Sequence, residues 1–258
     1  GPATLPLPAL ERSAKELVDF SGTGMSVMEH SHRGKEYEKV HNEAIALLGE
    51  LLEIPDSHAV LFLQGGASQQ FAMAPMNLLA RGRSADYVLT GAWGEKALVE
   101  AQAASALVGA SVRLAASTGE GDGKEKAYRR VPRAGEVEID PSAAYVHLTS
   151  NETIHGVEFD YVPESTGVPL VCDSSSDFLS RPGDVRRHAL IYAGAQKNVG
   201  PAGVTLVIVR KDMLSRTPPG LPVMLDYAAM AKGGSMHNTP PCFCIYVVGL
   251  VLQWLLSL

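Results

Sequence analysis

Five short stretches hold the residues of this 258-residue chain that could do chemistry, and each follows an apolar run. Gly65-Gly66-Ala67-Ser68 opens a segment able to form a helix. Small residues there let an anion approach backbone N–H groups, and a helix N-terminus carries partial positive charge. The stretch is neither GxGxxG nor a P-loop, so dinucleotide and ATP readings lack their motifs; a plain strand-to-helix connection is the alternative. Gly91-Ala92-Trp93-Gly94 places an indole where it can stack on a flat ring, although core filling is the commoner use of Trp. Thr149-Ser150-Asn151-Glu152-Thr153 is polar, as a capped turn or a ligand contact would be. Asp173 lies directly beyond Val171 and Cys172. A carboxylate at such a position is costly unless paired, so it either caps a helix or holds a protonated ring nitrogen. Lys197, in Ala193-Gly194-Ala195-Gln196-Lys197-Asn198-Val199-Gly200, stands among small residues with no acidic neighbour in sequence. A solvated lysine is the plain alternative.

These stretches share one fitting ligand: an anion on N–H groups, a flat ring under Trp93, a ring nitrogen facing Asp173 and a carbonyl within reach of Lys197. Pyridoxal 5'-phosphate has all four features.

The elements that must position them follow from hydrophobic periodicity. Apolar runs at Ala59–Gln64, Asp86–Thr90, Ser111–Ala116, Ala144–Leu148, Pro169–Cys172, Leu190–Ala193 and Val204–Val209 predict seven strands. The runs are mostly continuous rather than alternating, the pattern of strands buried on both faces of a parallel sheet. Helices are expected over Leu10–Phe20, along the face of Val40, Ala44, Leu47, Leu48 and Leu51, over Ser68–Leu79 despite Pro75, and over Trp93–Ala106. Ser21–Gly24 is a loop, and Gly119–Ala134 a surface excursion. The fold class is α/β: a three-layer α/β/α domain with a mostly parallel seven-stranded sheet, whose ligands bind outside the carboxyl ends of the strands.

Composition narrows the function. A net charge of −6 with scattered basic residues disfavours nucleic-acid binding. The spacing of Cys172, Cys242 and Cys244 is not that of a zinc site; free thiols in a reducing, cytoplasmic compartment and no metal are expected. Gly1–Pro8 lacks the basic start and apolar run of a secretory signal. Ile245–Leu258 is almost wholly apolar but shorter than the ~20 residues of a membrane span. A buried helix is predicted, with no membrane partner. No cap, charge or Gly follows the run, the pattern of a truncated chain.

GPATLP, GTGMSVMEHSHRGKEYE, LQGGASQQFAMAPMNLL, ADYVLTGAWGEKA, SNETIHGVEF, CDSSSDFLSRP, YAGAQKNVGPAGVTLVIVR and HNTPPCFCIYVVGLVLQWL follow one another through nearly the whole chain. On these stretches it resembles the phosphoserine aminotransferases, class V enzymes of the fold-type I pyridoxal-phosphate group. The resemblance implies an aspartate-aminotransferase-like large domain over residues 1–240, and residues 241–258 as the start of a helix toward a small C-terminal domain absent from this chain. It implies a homodimer with a shared active site, transaminating 3-phosphohydroxypyruvate with glutamate to O-phosphoserine and 2-oxoglutarate in serine biosynthesis.

By the same resemblance, Lys197 bears the cofactor as a Schiff base and shuttles the proton, Asp173 pairs with the pyridine nitrogen, Trp93 stacks on the ring and Thr153 bonds near the ring hydroxyl. Ala67 and Ser68 N–H groups with Gln196 hold the cofactor phosphate, which Asn238 and Thr239 reach from the other subunit. His32 and Arg33 help bind the substrate phosphate across the dimer; some members carry Arg where Ser68 stands. The family's C-terminal domain supplies further arginines for the substrate, so the truncated chain is expected to keep the cofactor pocket but turn over poorly. The alternatives are another fold-type I enzyme, such as a cysteine desulfurase or an alanine–glyoxylate type transaminase, and a non-catalytic form that binds or titrates the full-length enzyme. Gln196 before Lys197, where desulfurases usually carry His, argues against the desulfurase.

Overall fold

The computed structural model describes residues 1–121, 123, 126–133 and 135–258. Along the chain run α1 (Leu7–Glu16), α2 (Lys35–Leu51), β1 (His58–Leu63), α3 (Gly66–Leu78), β2 (Ser84–Leu89), α4 (Ala92–Val108) and β3 (Ser111–Ser117). A small hairpin follows, β4 (Gly119–Glu120) with β5 (Ala127–Tyr128). Then come β6 (Val146–Thr149), a second hairpin of β7 (Asn151–Glu152) with β8 (Val157–Glu158), β9 (Leu170–Asp173), β10 (Leu190–Gly194) and β11 (Thr205–Arg210). Helices α5 (Lys211–Leu214), α6 (Tyr227–Lys232) and α7 (Cys242–Leu256) close the order.

The seven expected strands form one sheet in the order β1-β11-β10-β9-β6-β2-β3. β11 runs antiparallel to both its neighbours, and the other pairs are parallel. Side chains alternate across each strand. In β11, Leu206 and Ile208 enter the core under α2 and α7, while Val207 and Val209 enter the core that includes α3, α4 and α6. Continuous apolar runs are therefore what a sheet covered on both faces requires. β3 departs from this: it is the edge strand, and Leu114 is exposed.

Buried charge at the β2–β3 edge is paired. Asp86 accepts from Arg113 Nε at 2.9 Å and Nη2 at 2.6 Å, and from the N–H of Asp140 at 2.6 Å.

Helix α1 is displaced from the expected Leu10–Phe20. It begins at Leu7, with Pro8 in the first turn where no N–H is required. It ends at Glu16 because the next residues make a short 3-10 turn, Phe20–Gly22, in which Ser21 takes φ 54°. The predicted excursion contains the β4–β5 hairpin; residues 122, 124, 125 and 134 within it lie outside the described residues.

The apolar run Ile245–Leu258 is a helix packed in its own chain. Ile245–Leu252 are buried, and α7 lies against α1 and α2. Gln253 joins both neighbours, accepting from Arg12 Nη1 at 2.7 Å and donating to Glu43 Oε1 at 2.6 Å. The apolar patch that a titrating, non-catalytic form would offer is thus largely covered. Among the described residues no helix is long and apolar enough to cross a membrane.

Leu48 is fully buried on α2 and belongs to the core that contains α7. Leu48→Ala is expected to lower the urea-unfolding free energy by ~2–5 kcal/mol, whereas Leu114→Ala on the edge strand should change it by less than ~1 kcal/mol.

Candidate active site

The carboxyl ends of β1, β2, β6, β9 and β10 share one edge of the sheet, and the start of the antiparallel β11 meets them there. Lys197 sits in the loop that joins β10 to β11. That loop is closed at its base by Ala195 N–H donating to Val204 O at 3.1 Å, and turned by Val199 and Gly200 N–H donating to Ala195 O at 3.2 and 2.9 Å. The amine Nζ of Lys197 donates to Thr153 Oγ1 at 2.7 Å and stands 5.8 Å from the centre of the Trp93 ring. Thr153 arrives just beyond β7, and Trp93 from the first turn of α4. Three residues far apart in sequence therefore converge on one amine.

Asp173 ends β9 and is buried. Its Oδ1 accepts from Ser175 N–H at 2.9 Å and Ser175 Oγ at 2.6 Å. The Ser175 hydroxyl in turn accepts from Gly194 N–H at 3.1 Å, tying the aspartate to the strand that leads to Lys197. Burial, aided by the charges of Glu152 and Asp177 and opposed by the Ser175 bonds, raises the Asp173 carboxyl to about 6. Thr149 is its register partner on β6. Thr149 Oγ1 and Trp93 Nε1 are buried with no hydrogen-bond partner among the described residues. A buried carboxylate, unpaired polar groups and an indole face suit a flat heterocycle with a cationic nitrogen.

Beneath them lies an aromatic floor. Tyr192, paired in register with Asp173, shares a hydrogen bond with His147 Nε2 at 2.7 Å, and His147 stacks on Tyr87 at 4.7 Å. Burial lowers His147 to about 3, so the ring is neutral near pH 7.

At the end of β1, Gly65 takes φ 83°, and a Cβ there would overlap the Gln69 side chain. This tight turn starts α3 at Gly66, two residues earlier than expected, and α3 packs against β10. Ala67 is half-buried in the same core as Trp93, and Ser68 is exposed. Gln196 beside the lysine is half-buried.

His32 and Thr239, with their chain neighbours Arg33 and Asn238, form a second group. Thr239 Oγ1 lies 3.3 Å from His32 Nδ1. Buried His32 Nε2 and Asn238 Oδ1 lack partners among the described residues. No hydrogen bond among the described residues joins this group to Lys197, Asp173 or Trp93. A cavity of about 420 Å³, lined by Leu148, Cys172, Phe178, Arg181 and Ile191, also lies elsewhere, on the core face opposite Trp93. Its size does not make it the site, because Lys197, Trp93 and Thr153 are absent from its lining.

Sequence reasoning named the stretches containing Ser175 and Glu152 but gave neither residue a job. Ser175 is two positions from a buried Asp, the spacing of an Asx-turn, and could have been found on that signal. Glu152 bonds to the distant Trp93 and Gly94 N–H groups, which leaves no local signal.

A sheet edge that gathers a buried aspartate, an indole and a lysine from separate strand ends defines an α/β enzyme of the pyridoxal-phosphate type. The chain belongs to the aminotransferase class-V family, whose model matches residues 1–258. It is 56% identical over 255 residues to a phosphoserine aminotransferase from Laribacter hongkongensis, covering 99% of this chain and 68% of that protein. The phosphoserine aminotransferase structure from Bacillus circulans subsp. alkalophilus superposes with a TM-score of 0.92 at 52% identity, covering 100% of this chain and 68% of that one. A pyridoxal-phosphate-bound phosphoserine aminotransferase from Trichomonas vaginalis gives 0.91 at 39% identity, covering 100% and 74%. The chain is an aminotransferase with pyridoxal 5'-phosphate as its cofactor.

Asp173 makes the pH dependence of the cofactor-free protein testable. Its folded carboxyl, at about 6, lies above the ~3.9 of an unfolded Asp, so the folded state binds this proton more readily. This contribution should fall by about 3 kcal/mol as pH rises from ~4 to ~6 and stay level above that. Asp173→Asn should flatten that part of a plot of denaturation free energy against pH. The same-signed contributions of Glu152 and Asp177 should remain.

Proposed function

We propose that this chain transaminates 3-phosphohydroxypyruvate with glutamate, giving O-phosphoserine and 2-oxoglutarate, with Lys197 as the catalytic amine. One observation carries the assignment of the site: Lys197 Nζ is held between Thr153 and Trp93, while the neighbouring strand end carries the buried Asp173. The substrate pair rests on the name and identity of the relatives.

The cofactor, when bound, supplies a carbonyl for imine formation and a ring that accepts the electrons of the substrate's Cα–H bond. The residues of this chain do the rest. Asp173 keeps the ring nitrogen protonated, and that cation returns its carboxyl to the ionised form. Trp93 covers one ring face, and Thr153 bonds near the ring hydroxyl side. Ala67 and Ser68 N–H groups at the start of α3, with Gln196, hold the cofactor phosphate, an anion at a helix N-terminus. Lys197 Nζ removes the proton from the substrate Cα and redelivers it. A neutral amine is required for that step.

His32, Arg33, Asn238 and Thr239 act in the other subunit of a homodimer. His32 and Thr239 lie 3.3 Å apart, and no hydrogen bond among the described residues joins them to Lys197, which supports this reading. Arg33 is exposed and free to fork onto a substrate phosphate. Residues 1–240 are the cofactor-binding domain, and α7 packs against its α1 and α2. Three free cysteines fit a cytoplasmic enzyme.

Spectroscopic titration tests the assignment. Cofactor added to the protein should develop an imine absorption band, and Lys197→Ala should lose it. O-phosphoserine should convert that band to the aminated form, while serine and alanine at equal concentration should leave it at least about tenfold less changed, a ~1.4 kcal/mol discrimination. An unaltered band in Lys197→Ala overturns the lysine assignment. Equal response to serine overturns the phosphorylated substrate.

A further inference from the structure

Glu152 is fully buried, and among the described residues its carboxylate pairs with no lysine or arginine. Its partners are two backbone N–H groups: Oε2 accepts from Trp93 at 2.9 Å and Oε1 from Gly94 at 2.6 Å. These belong to the first turn of α4, where N–H groups lack intrahelical acceptors and carry partial positive charge. The acceptor is not a local cap. It reaches α4 from β7, 59 residues further along the chain than Trp93. Burial raises the carboxyl above its ordinary range, and the two N–H bonds draw it back toward ionisation.

Space has been left for this carboxylate. A Cβ on Gly91 would overlap the Glu152 carboxyl group, and one on Gly94 would meet Oε1 at 3.2 Å. The far end of the connection is equally fixed. The Glu152 carbonyl accepts from His155 N–H at 3.1 Å and Gly156 N–H at 2.9 Å, forming the turn that presents Thr153. Thr153 holds Lys197 Nζ, and the Trp93 ring lies 5.8 Å from the same amine, with Lys96 Nζ 4.4 Å from that ring.

We infer that Glu152 is a positioning residue for the cofactor site: its carboxylate locks the helix turn carrying Trp93 to the strand turn carrying Thr153, and so sets the gap into which the cofactor ring and the Lys197 amine must fit. The inference rests on the reading of Trp93, Thr153 and Lys197 as cofactor contacts. It adds that the gap is set by a group that itself touches neither cofactor nor substrate.

Single-indole fluorescence tests it. In a Trp254→Phe background, Trp93 is the one remaining indole; its anisotropy in the cofactor-free protein reports how firmly it is held, and its quenching reports cofactor affinity. Glu152→Ala should lower the anisotropy and weaken cofactor binding about tenfold. Glu152→Gln, which keeps one acceptor, should lose about threefold and so rescue part of the effect. Gly91→Ala, which displaces the carboxyl from the other side, should reproduce the loss. Unchanged anisotropy and affinity in folded Glu152→Ala overturn the inference. Where that variant does not fold, unchanged values in both Glu152→Gln and Gly91→Ala do so. Absence of Lys197-dependent cofactor binding in the parent protein defeats the functional reading and this inference with it. Intact binding in the parent with indifferent variants defeats the role of Glu152 alone.

Discussion

A carboxylate buried at the end of a strand, with hydrogen-bond donors but no ion-pair partner among the described residues, is the constraint around which this structure is arranged. Asp173 lies within the protein, beside Ser175 and within range of the negative charges of Glu152 and Asp177. Water cannot solvate it well and its neighbours do not neutralise it, so the folded chain carries an electrostatic deficit until a cation arrives. A ring nitrogen that takes up a proton on arrival cancels the deficit and is itself stabilised. Under the proposed assignment, the affinity of the site for a protonated heterocycle is built from a defect of the empty fold.

Gathering the other groups around that carboxylate is a matter of sheet order. β9 lies between β10, which leads to the lysine, and β6, which leads to Thr153. β2, next to β6, leads to Trp93. Strands in register lie ~4.8 Å apart, so neighbouring strand ends deliver side chains to a region the size of one small molecule. The Ser175 hydroxyl then fixes β9 against β10, and the Glu152 carboxylate fixes the start of α4 against β7. The apolar cores on the two faces hold the sheet rigid, and these few polar ties set the separations that matter chemically.

Much of this was legible in the residue order. The seven strands could be found because a sheet covered on both faces demands unbroken apolar runs, and the central strands have them. Helix periodicity found α2, and the almost wholly apolar run from Ile245 found α7. The start of α1 was missed because Pro8 reads as a breaker when it stands in a first turn, and its end because Val18 and Phe20 look helical while the chain already turns at Ser21. The two small hairpins have strands of two residues, too short for any period. At the candidate site, Lys197, Asp173 and Trp93 stand out in the sequence because each breaks the chemistry of the run before it. The approach of Thr239 to His32, and the bonds of Glu152 to α4, come from tertiary packing alone, and no local pattern encodes them.

The reversal of β11 has a mechanical result. A parallel neighbour to β10 would need a crossover of a dozen or more residues, and Lys197 would then ride on a longer connection. The antiparallel return makes the lysine loop a short bight stitched to the sheet at both ends. The main chain at Lys197 is therefore a fixed mount, and the amine's whole range of travel lies in the torsions of its own four-carbon arm. Reorienting the amine then requires no rearrangement of the scaffold, only rotation about single bonds.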